Sequence, residues 1–385
     1  MKVLHVITFN AFGGAEKLIT FFLPALQQKG IKAGCLILYH ERYTDASATE
    51  ARKKLEEGGV EVFIVKYKSM FDREAIAAVG DYIQTGKFDL IHSHLKYADF
   101  FVTRLKKKNR ISVPIVTTMH GYRDKYQNKF GLQVKSGMFF DPYYWVTRYV
   151  CRQFDGVIFI SECLRRFYQK AGLPVKKNRI IYHGYTASVK TPVVTEQVET
   201  RNHTSPRIGL PGRLIRMKGH RFAIDAVKQL VQNYPGIQLH VFGVGPEEEA
   251  IRLHITETGM EKHVIFHGFV NNLDERLREM DVILIPSMGE SFGMVFLESF
   301  AAGVPVVAFD LPAGNEIIKD GYSGYLAKPG SVDGLVEKLK LILENPEQKN
   351  KIVAQAYAEL NQVFSLDRMT TDYLAFYQEM LNQHN

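Results

Sequence analysis

The sequence predicts an α/β protein made of two doubly wound parallel-sheet domains in tandem. Three observations carry this. The chain has 385 residues, too many for one ordinary domain. Short β-prone apolar runs alternate with amphipathic stretches in both halves, the rhythm of strands buried on both faces by helices. A polar, Thr- and Val-rich stretch at 187–206 interrupts that rhythm and reads as a linker. The expected boundaries are 1–186, the linker 187–206, and 207–364, with a C-terminal helix over 365–385 packing back on the first domain.

In order, "KVLHVIT" opens the first sheet, and a glycine loop "FGGAEK" and the helical "LITFFLPALQQKG" follow. "AGCLILY", "EVFIV", "DLIHSH", "VPIVTTMH" and "GVIFIS" continue as strands. After the linker come "RIGLPG", "IQLHVFG", "HVIFHG", "DVILIPS" and "VPVVAF". Helical patterns lie between them, several ending at a glycine suited to a left-handed cap. The tail "SLDRMTTDYLAFYQEMLNQHN" begins with Ser365 as a cap and Asp367 in its first turn. Ligands of such sheets bind outside the carboxyl ends of the strands, here in a cleft between the domains.

Composition excludes several classes. Hydrophobic content of 46% and charged content of 23% are those of a globular chain able to bury a large core. No run approaches the roughly 20 apolar residues of a spanning helix. Cys35, Cys151 and Cys163 form no C-x-x-C pair, which suggests reduced thiols in a cytosolic compartment. Charge is uneven. The first 185 residues hold 30 Lys and Arg against 16 Asp and Glu, and the remainder 19 against 25. The basic half suits an anionic partner, a membrane surface or nucleic acid, or simply keeps the protein soluble.

The stretch "GESFGMVFLES" carries the chemistry. A strand ends near Ser287, and a helix starting near Ser291 or Phe292 puts Gly293, Met294 and Val295 in its first turn. Amides there have no intrahelical partner and bind anions such as phosphate. Glu298 lies about 7–8 Å further along the axis, within reach of hydroxyls one unit from that phosphate. Glu290 flanks the other side. Two acceptors around an anion hole describe a ribose, a diphosphate and a hexose. The same spacing also fits two solvated glutamates at a helix start. Upstream, "GLPGRLIRMKGH" places Arg213 and Lys218 in a glycine-bounded loop. Fixed cations stabilise a leaving diphosphate most as its charge grows.

With these motifs in hand, "GRLIRMKG", "FGVGP", "FHGFV" and "DVILIPSMGESFGMVFLESFAAGVPVVA" resemble retaining glycosyltransferase family 4, of GT-B fold. "FNAFGGAEK" and "TTMHGYRD" resemble that family's glycine loop and His-containing loop. The resemblance implies two Rossmann-like domains facing across a cleft and an E-x7-E signature formed by Glu290 and Glu298. It implies catalytic roles for His120, Glu290, Arg213 and Lys218. It implies a donor site of Gly13, Gly14, Gly243, Gly245, Val270, Phe292, Gly293, Met294, Val295 and Glu298. Gly243 and Gly245 are expected to let the nucleotide lie against the backbone, and His120 to hydrogen-bond the donor sugar or the reacting centre. It implies transfer of a hexosyl group from a UDP-sugar, GDP-mannose or another nucleotide-sugar to a sugar or lipid-linked acceptor, in polysaccharide, lipopolysaccharide or glycolipid synthesis. No D-x-D metal clamp occurs, so no metal and no cofactor is expected.

The segment 124–152 mixes basic residues with Phe139, Phe140, Tyr143, Tyr144, Trp145 and Tyr149, and "RLKKKNR" adds charge. Interfacial rings and basic residues suit an anionic membrane surface. The expected location is cytoplasmic, peripheral on the inner face of the cytoplasmic membrane, with no nucleic-acid partner. The alternatives are a nucleotide-sugar epimerase or phosphorylase on the same scaffold, and a non-catalytic nucleotide-sugar binding protein.

Overall fold

A computed structural model describes residues 1–9, 13–43, 45–122, 126–128, 131–186, 205–270 and 273–384. The chain divides into two compact units. One comprises Met1–Tyr126, Val134–His183 and Leu366–Asn385, the other Gln127–Gln133 and Gly184–Ser365. Most of the expected linker, 187–204, lies outside the described residues.

The first unit holds β1 (Lys2–Thr8), β2 (Lys32–His40), β3 (Glu61–Tyr67), β4 (Leu90–His94) and β5 (Ile115–Met119). The second contributes a small hairpin, β6 (Gln127–Asn128) and β7 (Gly131–Leu132). β8 (Gly156–Phe159) and β9 (Lys177–Ile180) return to the first sheet, whose order is β3-β2-β1-β4-β5-β8-β9. All its pairings are parallel. Strands such as "KVLHVIT" are buried almost throughout because helices cover both faces. One covering helix, Gly14–Gln28, buries Leu18, Ile19, Phe22, Leu23 and Leu26. Another, Leu366–His384, packs Tyr373 against Phe22 with ring centroids 4.6 Å apart.

The second unit holds β10 (Arg207–Pro211), β11 (Gln238–Phe242), β12 (Val264–Gly268), β13 (Val282–Ile285), β14 (Val306–Phe309) and β15 (Tyr325–Ala327). Their order is β12-β11-β10-β13-β14-β15, again parallel. Its core joins Ile208, Leu239, Val241, Val282 and Leu284 to helix residues Ile224, Val227 and Leu339.

In each sheet the order in which strands are added reverses once, between β1 and β4 and between β10 and β13. The crevice at such a reversal, outside the carboxyl ends of the strands, is where open α/β sheets hold ligands. Among the described residues, no helix is long and apolar enough to cross a membrane.

Candidate active site

In the second unit, the loops after β10 and β13 meet at the point of reversal. The Met288 amide donates to the Met217 carbonyl at 2.7 Å. Gly219 has a φ of +69°, and a Cβ there would lie 1.9 Å from the Pro286 carbonyl oxygen. Only glycine permits this approach. The two loops are thereby bolted together, and Lys218, one residue earlier, is delivered to Glu290. Its Nζ lies 2.5 Å from Glu290 Oε1, with the side chains 20% and 10% exposed. The Lys218 stem runs beside Gly212, where a Cβ would sit 3.5 Å from its Cγ and Cδ. Arg213 stands exposed on the same loop.

The helix after β13 starts later than the sequence suggested. It spans Met294–Ala302, and Gly293 is its cap, with φ 96° and ψ 75°. A left-handed residue cannot belong to an α-helical first turn, so the start at Ser291 or Phe292 is corrected. Met294 and Val295 open the helix, and their amides have no intrahelical acceptor. A Cβ on Gly293 would lie 3.8 Å from Glu290 Cδ, so the Glu290 carboxylate flanks this amide end. Glu298 sits in the second turn, buried. Its charge adds to burial in raising the Tyr185 phenol. The Phe292 ring is buried and meets Phe364 edge-on at 6.2 Å, so the backbone is what Phe292 offers a ligand.

Gly243 and Gly245 also have a structural role. A Cβ on Gly243 would lie 2.0 Å from the Gly212 carbonyl oxygen, and one on Gly245 would lie 2.4 Å from that of Leu214. The protein's own backbone therefore requires glycine at both positions. They clamp the turn after β11 onto the loop that carries Arg213. Val270, just past β12, is half-buried.

In the first unit, Gly13 caps the helix Gly14–Gln28, and its amide donates to Glu16 Oε2 at 3.2 Å. Residues 10–12 of the same glycine loop lie outside the described residues. A cavity of about 380 Å³ opens at the reversal between β1 and β4, lined among others by Thr8, Leu95, Lys96, Asp99, His120 and Tyr143. The Asp99 carboxyl accepts from the hydroxyls of Ser93 and Thr117 at 2.5 and 2.7 Å. Burial raises its pKa to about 7.

His120, one residue past β5, does not stand alone. Its Nε2 lies 3.1 Å from His94 Nδ1, and His94 Nε2 lies 3.0 Å from His5 Nδ1. The His183 ring is 5.5 Å away. Burial lowers the His120 pKa to about 4 and that of His5 to about 3, and holds His94 well below its usual range. The ring nitrogens of His5, His92 and His94 lie within 4.8 Å of one another, close enough to suggest a metal group. However, His92 already uses both nitrogens, on Tyr377 Oη at 2.5 Å and Thr118 Oγ1 at 2.8 Å. The arrangement suits a hydrogen-bonded chain better than an ion. The sequence reading missed this cluster, although "IHSH" carried a signal. Residues two apart on a strand share a face, so His92 and His94 point the same way.

Two family models together match most of the chain. The model for Glycosyltransferase Family 4 matches residues 12–188, and that for Glycosyl transferases group 1 matches residues 194–359. The chain belongs to the glycosyltransferases. This glycosyltransferase is 29% identical over 322 residues to D-inositol 3-phosphate glycosyltransferase of Arthrobacter sp., covering 78% of this chain and 72% of that one. It is 34% identical over 140 residues to phosphatidyl-myo-inositol mannosyltransferase of Mycobacterium leprae, covering 36% and 37%. Its fold matches Anabaena HepE, solved in complex with UDP-glucose, at a TM-score of 0.80 and 20% identity over 98% of this chain and 100% of that chain. The two parallel-sheet units have the GT-B architecture.

Proposed function

We propose that the protein is a retaining hexosyltransferase moving sugar from a nucleotide-sugar to a sugar or lipid-linked acceptor in polysaccharide, lipopolysaccharide or glycolipid assembly. The observation carrying this is the contact of Lys218 with Glu290 beside the left-handed Gly293, where β10 and β13 diverge. The named relatives act on inositol phosphate and phosphatidylinositol acceptors, and HepE binds UDP-glucose, which supports the donor class and the setting.

In this reading, the amides of Met294 and Val295 receive the donor phosphates and Glu298 takes the ribose hydroxyls. Glu290 holds the hexose. The bond from the anomeric carbon to the diphosphate oxygen breaks, and the acceptor oxygen bonds to that carbon from the same face. The acceptor proton passes to the departing phosphate oxygen. Arg213 and Lys218 take up the charge that grows there, which stabilises the transition state more than the bound donor. His120, held neutral by burial, hydrogen-bonds the transferred sugar. Because side-chain cations meet the diphosphate, turnover is independent of metal. Full activity after dialysis against a chelator supports this part, and reversible loss of activity would sink it. Turnover of UDP- and GDP-sugars, with and without a lipid-linked acceptor, tests the reading. Donor consumption equally fast without any acceptor would favour an epimerase or phosphorylase.

The acceptor side is proposed to meet an anionic membrane, which places the enzyme on the inner face of the cytoplasmic membrane. Phe140 is 88% exposed and Trp145 56%, with Phe139 beside them, and Lys107 of the neighbouring helix lies over the Tyr149 ring at 4.6 Å. The patch is smaller than the sequence suggested, because the Tyr144 ring is buried. Its phenol donates to the Ala171 carbonyl.

A further inference from the structure

We propose that His94, backed by His5, is a positioning residue that fixes His120 in a single tautomer and so decides whether His120 Nδ1 donates or accepts a hydrogen bond. This rests on the reading above, in which His120 touches the transferred sugar.

The argument is one of proton counting. All three imidazoles are neutral near pH 7, since burial opposes charging them. A neutral imidazole carries one N–H and one lone pair. His94 spends one nitrogen on His120 and the other on His5, at 3.1 and 3.0 Å. Both bonds can form only if the protons run in one direction. Either every ring is protonated at Nδ1, or every ring is protonated at Nε2. In the first arrangement His120 presents an N–H at Nδ1, and in the second it presents a lone pair.

Changing between them needs one proton to leave at one end of the chain while another enters at the other. The far end is His5 Nε2, in a fully buried ring, with no hydrogen-bond partner among the described residues. Burial of that end opposes the exchange, so one arrangement persists. His120 Nδ1, at the near end, is likewise buried and has no hydrogen-bond partner among the described residues, but its ring lines the cavity. It is the atom left for a substrate in the cavity that His120 lines.

The backbone supports the same view. Leu95 directly follows His94 and has φ 69° and ψ 153°, a region that residues with a Cβ rarely enter. Strain of this kind persists where the surroundings fix it, and it clusters at functional sites. Here it lies at the carboxyl end of β4, on the wall of the cavity. His92, two residues earlier on the same strand face, is tied to Tyr377 and Thr118 and stays outside the chain.

The test is a long-range proton–nitrogen correlation spectrum of the full chain labelled with ¹⁵N-histidine at pH 7.5, with His120 assigned from a His120→Ala variant. The expected result is a single His120 tautomer, with His94 and His5 protonated at the same-named nitrogen. His94→Leu, which removes the partner, is expected to give averaged nitrogen shifts for His120. It is also expected to lower kcat by about tenfold or more, the scale of losing an orienting partner, with the donor KM within about twofold. His94→Asn keeps a polar group facing His120 but breaks the link to His5 and can either donate or accept, so it is expected to restore part of kcat and not the single tautomer. A wild-type His120 exchanging between tautomers overturns the proposal, as does an unchanged tautomer in folded His94→Leu. If His94→Leu does not fold, the wild-type and His94→Asn spectra decide. Wild-type turnover in folded His120→Ala would instead overturn the sugar contact itself and leave the tautomer result standing.

Discussion

Lys218 and Glu290 are 72 positions apart in the sequence and meet in the fold, ammonium to carboxylate at 2.5 Å. Neither side chain is deeply exposed. The pair forms because two glycine-fastened loops leave neighbouring strands at the same crevice.

If Lys218 stabilises the departing diphosphate, Lys218→Ala loses about 10²–10³ in kcat, the usual scale for one oriented electrostatic group. Glu290→Gln keeps the shape and removes the charge, and is expected to lose a comparable factor. Steady-state turnover with circular dichroism as the folding control checks both. Near-normal kcat in a folded Lys218→Ala would remove this residue from the mechanism.

Gly219→Ala is expected to unfold the second unit more easily, although it lies at the same crevice. The new Cβ meets the Pro286 carbonyl at 1.9 Å, and its φ is left-handed. The conformation alone costs about 1–2 kcal/mol, and relieving the clash adds to it. A lower urea midpoint at unchanged m is the expected result.

Acid should unfold the first unit steeply. His5, His92, His94, His120 and His183 all have pKa values lowered mainly by burial. Below about pH 6.5 the unfolded chain takes up protons that the folded chain refuses. The stability these groups contribute is therefore complete above that pH. It is lost as pH falls toward about 4 for His120 and about 3 for His5, by up to about 1.4 kcal/mol per unit for each histidine. Asp99 works in the opposite direction, since its raised pKa of about 7 favours the fold at low pH, but it is one group against five. Urea midpoints between pH 7.5 and 4.5 are expected to fall steeply. A flat profile would mean that the cluster opens to water.

The exposed rings at Phe140 and Trp145 predict pelleting with phosphatidylglycerol vesicles at low salt, weakening as salt rises. Phe140→Ser with Trp145→Ser is expected to lose most of it. Indifference to vesicle charge would count against this surface.

Much of the fold was legible because parallel strands buried on both faces read as plain apolar runs. β9, "KNRI", escaped because it is a polar edge strand, only half-buried. β15 escaped because three residues give no period to read. At the site, residue types and spacing pointed to Glu290, Glu298 and Lys218. They could not say that Gly243 and Gly245 face backbone carbonyls, because that depends on how two loops pack. Nor could they show that His120 heads a chain running through His94 to His5. That chain spans three strands whose neighbour relations exist only once the sheet has formed.

The most direct measurement is a crystal structure of the protein with a nucleoside diphosphate, paired with calorimetric binding to wild type and Lys218→Ala. The account predicts phosphates against the amides of Met294 and Val295 and within reach of Lys218, with affinity at least about tenfold weaker in the variant. Phosphates bound elsewhere, or equal affinity in both proteins, would contradict it.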